Sequence, residues 1–213
     1  MEGSTTTVRL PGAAARRFGH VCGFFHSREE EYGVLLPLAK EGFERGEKVF
    51  QIVDPEHRPE RMRRLEEVGI SPAAARRPGQ VEIRAWEDAH LRGGHFDHDA
   101  MMTLLEETLR GAKADGFGQT RLWANMEWAL GEFPGVEDLV EYETRLNYFL
   151  PRCEDLVVCT YDLTKFGAGV VLDILRTHPM VIIGGILQEN PFFVPPDEFL
   201  REIRERDAPT ARS

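Results

Sequence analysis

Short apolar runs patterned as strands alternate with longer segments patterned as helices along nearly the whole chain, which restricts it to a few architectures. Strands are expected at residues 19–25, 48–53, 81–86, 121–128, 156–161 and 180–184. The run Leu156-Val157-Val158-Cys159-Thr160-Tyr161 is almost continuously apolar, as a parallel strand covered on both faces must be. Helices are expected at 28–45, from Asp54-Pro55 to near Gly69, from Asp97 to Gly116, at 136–150, at about 167–176 and at 197–206. Asp54 and Pro55 supply the acid and proline that helix starts favour. Met101, Leu104, Leu105, Leu109 and Ala112 repeat at the 3.6-residue spacing of one buried helix face. The order of elements predicts an α/β fold with a mainly parallel, open, three-layer sheet.

The remaining numbers narrow the function class. With 213 residues the chain is expected to form one main domain with a sizeable core. Residues 1–17 read as a flexible leader and 208–213 as a frayed tail. Residues 18–190 read as the domain itself, and 191–213 as an exit linker with a terminal helix. The net charge is −10 and no long basic stripe is present, which argues against direct nucleic-acid binding. Arg58, Arg61, Arg63 and Arg64 alternate with Glu60, Glu66 and Glu67 and read as a solvated helix face. No apolar run approaches the roughly 20 residues that cross a bilayer, and the start of the chain has no apolar targeting segment. Cysteines at 22, 153 and 159 form no C-x-x-C pair, so a reduced, cytoplasmic setting is expected.

The first strand–helix junction is the most informative local feature. In a nucleotide-binding domain this is the place for G-x-x-x-x-G-K-[ST], whose bare N–H groups and lysine cradle phosphates. Here His26-Ser27-Arg28-Glu29-Glu30-Glu31 follows the strand, without a glycine or a lysine. Ser27 and Glu30 have the spacing of a capping box, and three glutamates would repel a triphosphate. The layout points to binding or sensing rather than phosphoryl transfer.

Ligands of open parallel sheets sit beyond the carboxyl ends of the strands. Those ends carry His26 and Ser27, Asp54, Glu127 and Trp128, and Tyr161 and Asp162. Together they suggest a polar, aromatic rim for a small ligand, although capping alone accounts for Asp54 and Asp162. His20, Cys22 and Cys159 lie within strands and would form the floor of that pocket. Glu143 and Asn147 interrupt the apolar stripe of the helix at 136–150. A buried polar side chain needs a partner. For Glu143 that is an arginine such as Arg121 or Arg145, or else Glu143 and Asn147 support the pocket beneath Glu127. His178 precedes Pro179 and is therefore extended, either pointing into the sheet edge or ending a helix. His90, His95 and His98 cluster around Gly93-Gly94 and read as surface histidines of a loop. No spacing matches a structural zinc motif, so no metal and no cofactor is assigned. No nucleophile elbow or defensible triad order is present either.

These residues together resemble a known family. His20-x-Cys22, Gly46-Glu47-Lys48, Gly79 ahead of a strand and Gly94-x-Phe96-Asp97 match its first half. Met126-Glu127-Trp128, Tyr142-Glu143, Leu146-Asn147, Cys159-x-Tyr161-Asp162 and His178-Pro179 match its second half. Over residues 18–188 the chain resembles the MEDS sensory domain, named for methanogen, methylotroph and dichloromethane-regulator sensors. The domain also looks like a degenerate RecA/KaiC-type ATPase. Asn125 stands where the magnesium-binding aspartate would be, and the phosphate loop is missing. If that sheet order holds, the strands bearing Cys22 and Cys159 are neighbours.

The resemblance implies a non-catalytic sensory module of prokaryotic signalling that detects simple hydrocarbon derivatives. The expected ligand contacts are His20, Cys22, His26, Glu127, Trp128, Cys159, Tyr161 and Asp162, supported by Glu143, Asn147 and His178. The implied partner is a kinase-like or anti-sigma ATPase domain or a transcription regulator, in cis or in trans, and a homodimer fits such a module. Two other readings compete: a cysteine- or metal-dependent hydrolase using Cys159 or a His/Cys/Glu site, and a ligand-free interaction module that docks through its terminal helix.

Overall fold

The computed structural model describes residues 19–207, so the expected leader and tail lie outside the described residues. Seven strands form one sheet in the order β3-β2-β4-β5-β1-β6-β7. The strands are β1 (His20–Phe25), β2 (Lys48–Val53), β3 (Val81–Ala85), β4 (Thr120–Asn125), β5 (Leu156–Asp162), β6 (Met180–Ile183) and β7 (Ile186–Glu189). The first six pair in parallel; β7 runs antiparallel to β6. The helices are α1 (Arg28–Arg45), α2 (Arg58–Glu67), α3 (His98–Ala114), α4 (Leu139–Leu146), α5 (Ala168–Thr177) and α6 (Pro196–Asp207). Strands β1 and β5 are neighbours, with Cys22 opposite Cys159 in register.

Side-chain alternation along the central strands divides the core into two layers. Cys22 and Phe24 of β1, with Val157, Cys159 and Tyr161 of β5, face α3, α4 and α5. Val21 and Phe25, with Leu156 and Val158, face α1 and α2. The sheet between these helical layers is the expected three-layer α/β arrangement. Helix α6 lays Phe199, Leu200 and Ile203 against Val140 of α4. Among the described residues no helix is long and apolar enough to cross a membrane.

Several expected boundaries move, each for a local reason. Strand β4 stops at Asn125 rather than continuing to Trp128. The Asn125 side chain accepts the Glu127 N–H at 3.2 Å and turns the chain into a short 3-10 segment, Glu127–Leu130. The segment after Asp54 begins as a 3-10 turn, Pro55–His57, before α2. There Asp54 accepts the Glu56 N–H and pairs with His57. Helix α4 ends at Leu146 instead of 150, because the Asn147 amide turns back onto the carbonyls of Glu143 and Thr144. Strand β7 is unexpected. Gly184 and Gly185 both take positive φ and close a two-residue hairpin turn between apolar strands.

Candidate functional site

Helix α1 begins with Ser27, whose hydroxyl accepts the Glu30 N–H at 3.2 Å. The Glu30 carboxylate accepts the His26 N–H at 2.7 Å. The helix N-terminus is therefore satisfied by the protein itself, as the sequence suggests.

The residues expected to line one pocket separate into three places. The first is a cleft at the carboxyl ends of β1, β4 and β5, lined by Ser27, Arg28, Asn125, Glu127, Tyr161 and Asp162 among others. It is closed: about 10 Å³ remains, no more than one water's worth. Glu127 is held there by Lys165 and by Arg28 at 3.4 Å. Asp162 accepts the Thr164 N–H at 2.8 Å and its hydroxyl at 2.6 Å, which stitches the following turn. Larger clefts of about 320 and 290 Å³ lie elsewhere and include no expected site residue.

The second place is the aromatic interior. Trp128 is fully buried, stacked on His90 with ring centres 4.9 Å apart and tilted on Phe96 at 4.4 Å. It does not belong to the cleft, because the turn after Asn125 rotates it into the core. His26 stands apart from both, exposed at the end of β1.

The third place, between β1, β5, α4 and the end of α5, unites seven of the expected residues. His20 and Cys22 come from β1, Cys159 and Tyr161 from β5, Glu143 and Asn147 from α4 and its cap, and His178 from just after α5. Glu143 is at the centre and is wholly buried. Its Oε2 lies 3.0 Å from His20 Nε2 and 3.3 Å from His178 Nε2, while its Oε1 accepts the Tyr161 hydroxyl at 2.5 Å. Cys159 Sγ is 3.9 Å from His20 Nε2, and the two imidazole rings are 3.9 Å apart. Cys22 Sγ points to the Met180 carbonyl at 3.7 Å.

The expected arginine partners of Glu143 are engaged elsewhere. Arg121 binds Glu47 and Glu41, and Arg145 binds Glu141. Nor does Glu143 orient Glu127. Tyr161, which also lines the rim cleft, is the residue that links the two places.

Hydrogen bonds assign the protons. The Asn147 amide nitrogen donates to the carbonyls of Glu143, Thr144 and Thr177 at 3.3, 3.2 and 2.7 Å. Its oxygen must then accept from His20 Nδ1, 3.1 Å away. The Ile174 carbonyl at 2.9 Å likewise requires a proton on His178 Nδ1. Each ring therefore turns Nε2 inward. Burial opposes charge on Glu143, yet His178 and His20 outweigh it and hold the carboxyl well below its usual range. Burial opposes charge on His178 too, but Cys22 and Glu143 reverse that and raise it well above an ordinary imidazole. Burial, followed by repulsion from His178, lowers His20. The surroundings thus favour charge on Glu143 and His178 and oppose it on His20. Burial and Glu143 push the Cys159 thiol and the Tyr161 phenol far up, so both keep their protons.

Sequence reasoning missed three contributors. His90, read as a surface residue, is 2 % exposed, and burial lowers it to about 3. Its flanking Ala89 and Leu91, both buried, were the available signal. Arg61, read as part of a solvated face, is 5 % exposed and pairs with Glu31 on the opposite side of the sheet. Glu31, read only as part of an acidic helix start, is the hub of that pairing. Nothing in its local spacing separates it from Glu29 and Glu30.

The site thus combines an internally capped first helix with a buried acid–imidazole centre in an α/β domain. Residues 19–179 match the family described as MEDS, the MEthanogen/methylotroph, DcmR Sensory domain, and the chain belongs to that family. It is also similar to the transcriptional repressor DcmR of Methylorubrum extorquens (strain DSM 6343 / CIP 106787 / DM4). The two are 27 % identical over 160 residues, which is 75 % of this chain and 57 % of the repressor. The chain thus spans little more than half of that relative's length, and the relationship supports a sensory and regulatory role.

Proposed function

We propose that the protein is a non-catalytic, cytoplasmic sensory domain that binds a small organic molecule of the simple hydrocarbon-derivative class. It passes the bound state to a signalling partner, in cis or in trans. That partner is a transcription regulator or a kinase-like or anti-sigma ATPase. The reading is carried by Tyr161, which lines the rim cleft and donates to Glu143 in the interior. A ligand that parts Glu127 from Arg28 and Lys165 opens the cleft and moves the Tyr161 hydroxyl. Glu143 then transmits the shift to α4 and the end of α5. Helix α6 rests on both, through Phe199 and the Arg176–Glu202 ion pair at 2.6 Å, and offers the route outward. The buried, protonated Cys159 supports the absence of nucleophilic catalysis. The three unpaired cysteines support a reducing compartment.

The test is a melting-temperature screen with small alcohols, aldehydes, haloalkanes and acids. A ligand at a hundred times its dissociation constant should stabilise the fold by about 2.7 kcal/mol, and Tyr161→Phe should diminish the response. A panel in which no member raises the melting temperature overturns the reading.

A further inference from the structure

We infer that His20 Nε2, His178 Nε2, a carboxylate oxygen of Glu143 and Cys159 Sγ form a four-coordinate site for a divalent ion of the zinc class. The candidate ligand atoms all lie within 4.8 Å of one another, on residues no more than 2 % exposed. A tetrahedral ion with bonds of about 2.0–2.3 Å separates its ligands by roughly 3.3–3.8 Å. Three of the six separations are 3.0, 3.3 and 3.9 Å and none exceeds 4.8 Å, so side-chain shifts of about 1 Å reach that geometry.

The surrounding hydrogen bonds are those that metal-binding histidines require. A ligating imidazole donates its other N–H to a carbonyl or amide oxygen, which fixes both tautomer and ring plane. Asn147 does this for His20 and Ile174 for His178. The Asn147 oxygen is itself oriented by the three carbonyls that its nitrogen serves. The Tyr161 hydroxyl occupies the Glu143 Oε1 and leaves Oε2 facing both imidazoles. His178 Nε2 is fully buried and 3.3 Å from that oxygen, longer than a well-formed hydrogen bond, and an ion in the centre would satisfy both atoms.

The donor set also selects the ion. Two imidazoles, one carboxylate and one thiolate suit zinc or cobalt rather than magnesium or calcium, which take oxygen ligands. A dication would bind Cys159 as the thiolate, which is the ligating form of a cysteine. Neither chain spacing nor residue order announces this site, because its ligands come from two strands, a helix and a loop. For its role in signalling the inference rests on the proposed sensing cluster, whereas ion binding is read on its own.

The experiment uses the full chain, purified without chelator and with any affinity tag removed. Elemental analysis should find one zinc per chain. Cobalt(II) replacing it should give tetrahedral visible bands and a thiolate-to-cobalt charge-transfer band. Cys159→Ala should abolish the charge-transfer band, while Cys153→Ser and Cys22→Ser keep it. Should Cys159→Ala fail to fold, X-ray absorption of the wild-type zinc form decides, with one sulfur among nitrogen and oxygen neighbours expected. Absence of bound metal together with no charge-transfer band on cobalt addition overturns the inference. So does a band lost with Cys153→Ser, or a zinc shell without sulfur. A metal-free protein that organic ligands still stabilise would reject the ion and keep the sensor. A metal-loaded protein indifferent to every organic compound would do the reverse.

Discussion

On each face of the sheet a buried carboxylate is the centre of a network, and the two are held in different ways. On the α1 side, Glu31 accepts from Trp123 Nε1 at 2.6 Å, the Thr160 hydroxyl at 2.9 Å and Arg61 at 3.3 Å. Arg61 in turn binds Gln51 and lies over the Trp123 ring at 3.4 Å. On the α4 side, Glu143 meets two histidines and a tyrosine instead. A guanidinium stays charged at any pH a protein survives, so the Glu31 network has one state. Each imidazole can carry one proton or two, so the Glu143 cluster has several. The first arrangement fastens α1 and α2 to the sheet. The second can answer to its surroundings, which is the property a sensor needs.

The comparison is broken most severely by deleting the carboxylate itself. In the metal-free protein, Glu143→Ala strands a buried imidazolium and should cost about 3–5 kcal/mol in urea unfolding near neutral pH. Raising the pH should shrink that cost as His178 loses its proton. Glu31→Ala should be similarly damaging, but by the same amount at every pH between about 6 and 9, because a guanidinium partner keeps its charge across that range. Equal pH dependence in the two variants would dissolve the distinction.

Stability of the metal-free wild type should have two pH arms of opposite origin. The folded pKa of His178 lies above the unfolded value of about 6.5. Its contribution is therefore complete below about pH 6.5 and is lost as pH rises through the folded value. The folded pKa of His90 is about 3, below the unfolded value. The unfolded chain then binds the extra proton, and His90 alone should remove about 2 kcal/mol of stability by about pH 5. Glu143, with a depressed folded pKa, adds a further loss below about pH 4.3. Urea midpoints across pH should show the acid arm flattened in His90→Phe and the alkaline arm flattened in His178→Gln.

A smaller effect is expected from Trp123→Phe. It leaves Glu31 one donor short and should cost about 1–2 kcal/mol, with no change in either pH arm. Smallest of all is Lys165→Ala at the rim, where a half-exposed ion pair is worth less than about 1 kcal/mol. That variant sharpens the contrast differently. By loosening Glu127 it should ease opening of the cleft and strengthen the response to a stabilising ligand, whereas Trp123→Phe should leave that response unchanged.

Legibility differed between the fold and the site. Helix α1 and strand β2 fall at their expected boundaries because local signals frame them: the Ser27 cap, the αL glycine Gly46 and a compact apolar run. Strand β7 was missed although Gly184-Gly185 between apolar residues is a hairpin signal. Glu143 and Asn147 were legible as anomalies, since each interrupts an apolar stripe. Their partners were not legible, and the arginines nearest in reasoning proved wrong. Trp128 and Glu127 are adjacent in sequence and read as one rim. A single turn sends the tryptophan into the core and leaves the glutamate at the cleft.

The chain by itself determined the alternation of elements, the self-capped first helix without a phosphate loop, and the set of polar residues that must be buried. Those follow from periodicity and capping, which act over a few residues. Only the tertiary structure decided that His20, Glu143, Cys159 and His178 share one centre, while Glu31 and Arg61 share another across the sheet. Partners separated by 30 to 139 residues are chosen by strand order and by which face each side chain takes. No local pattern encodes either.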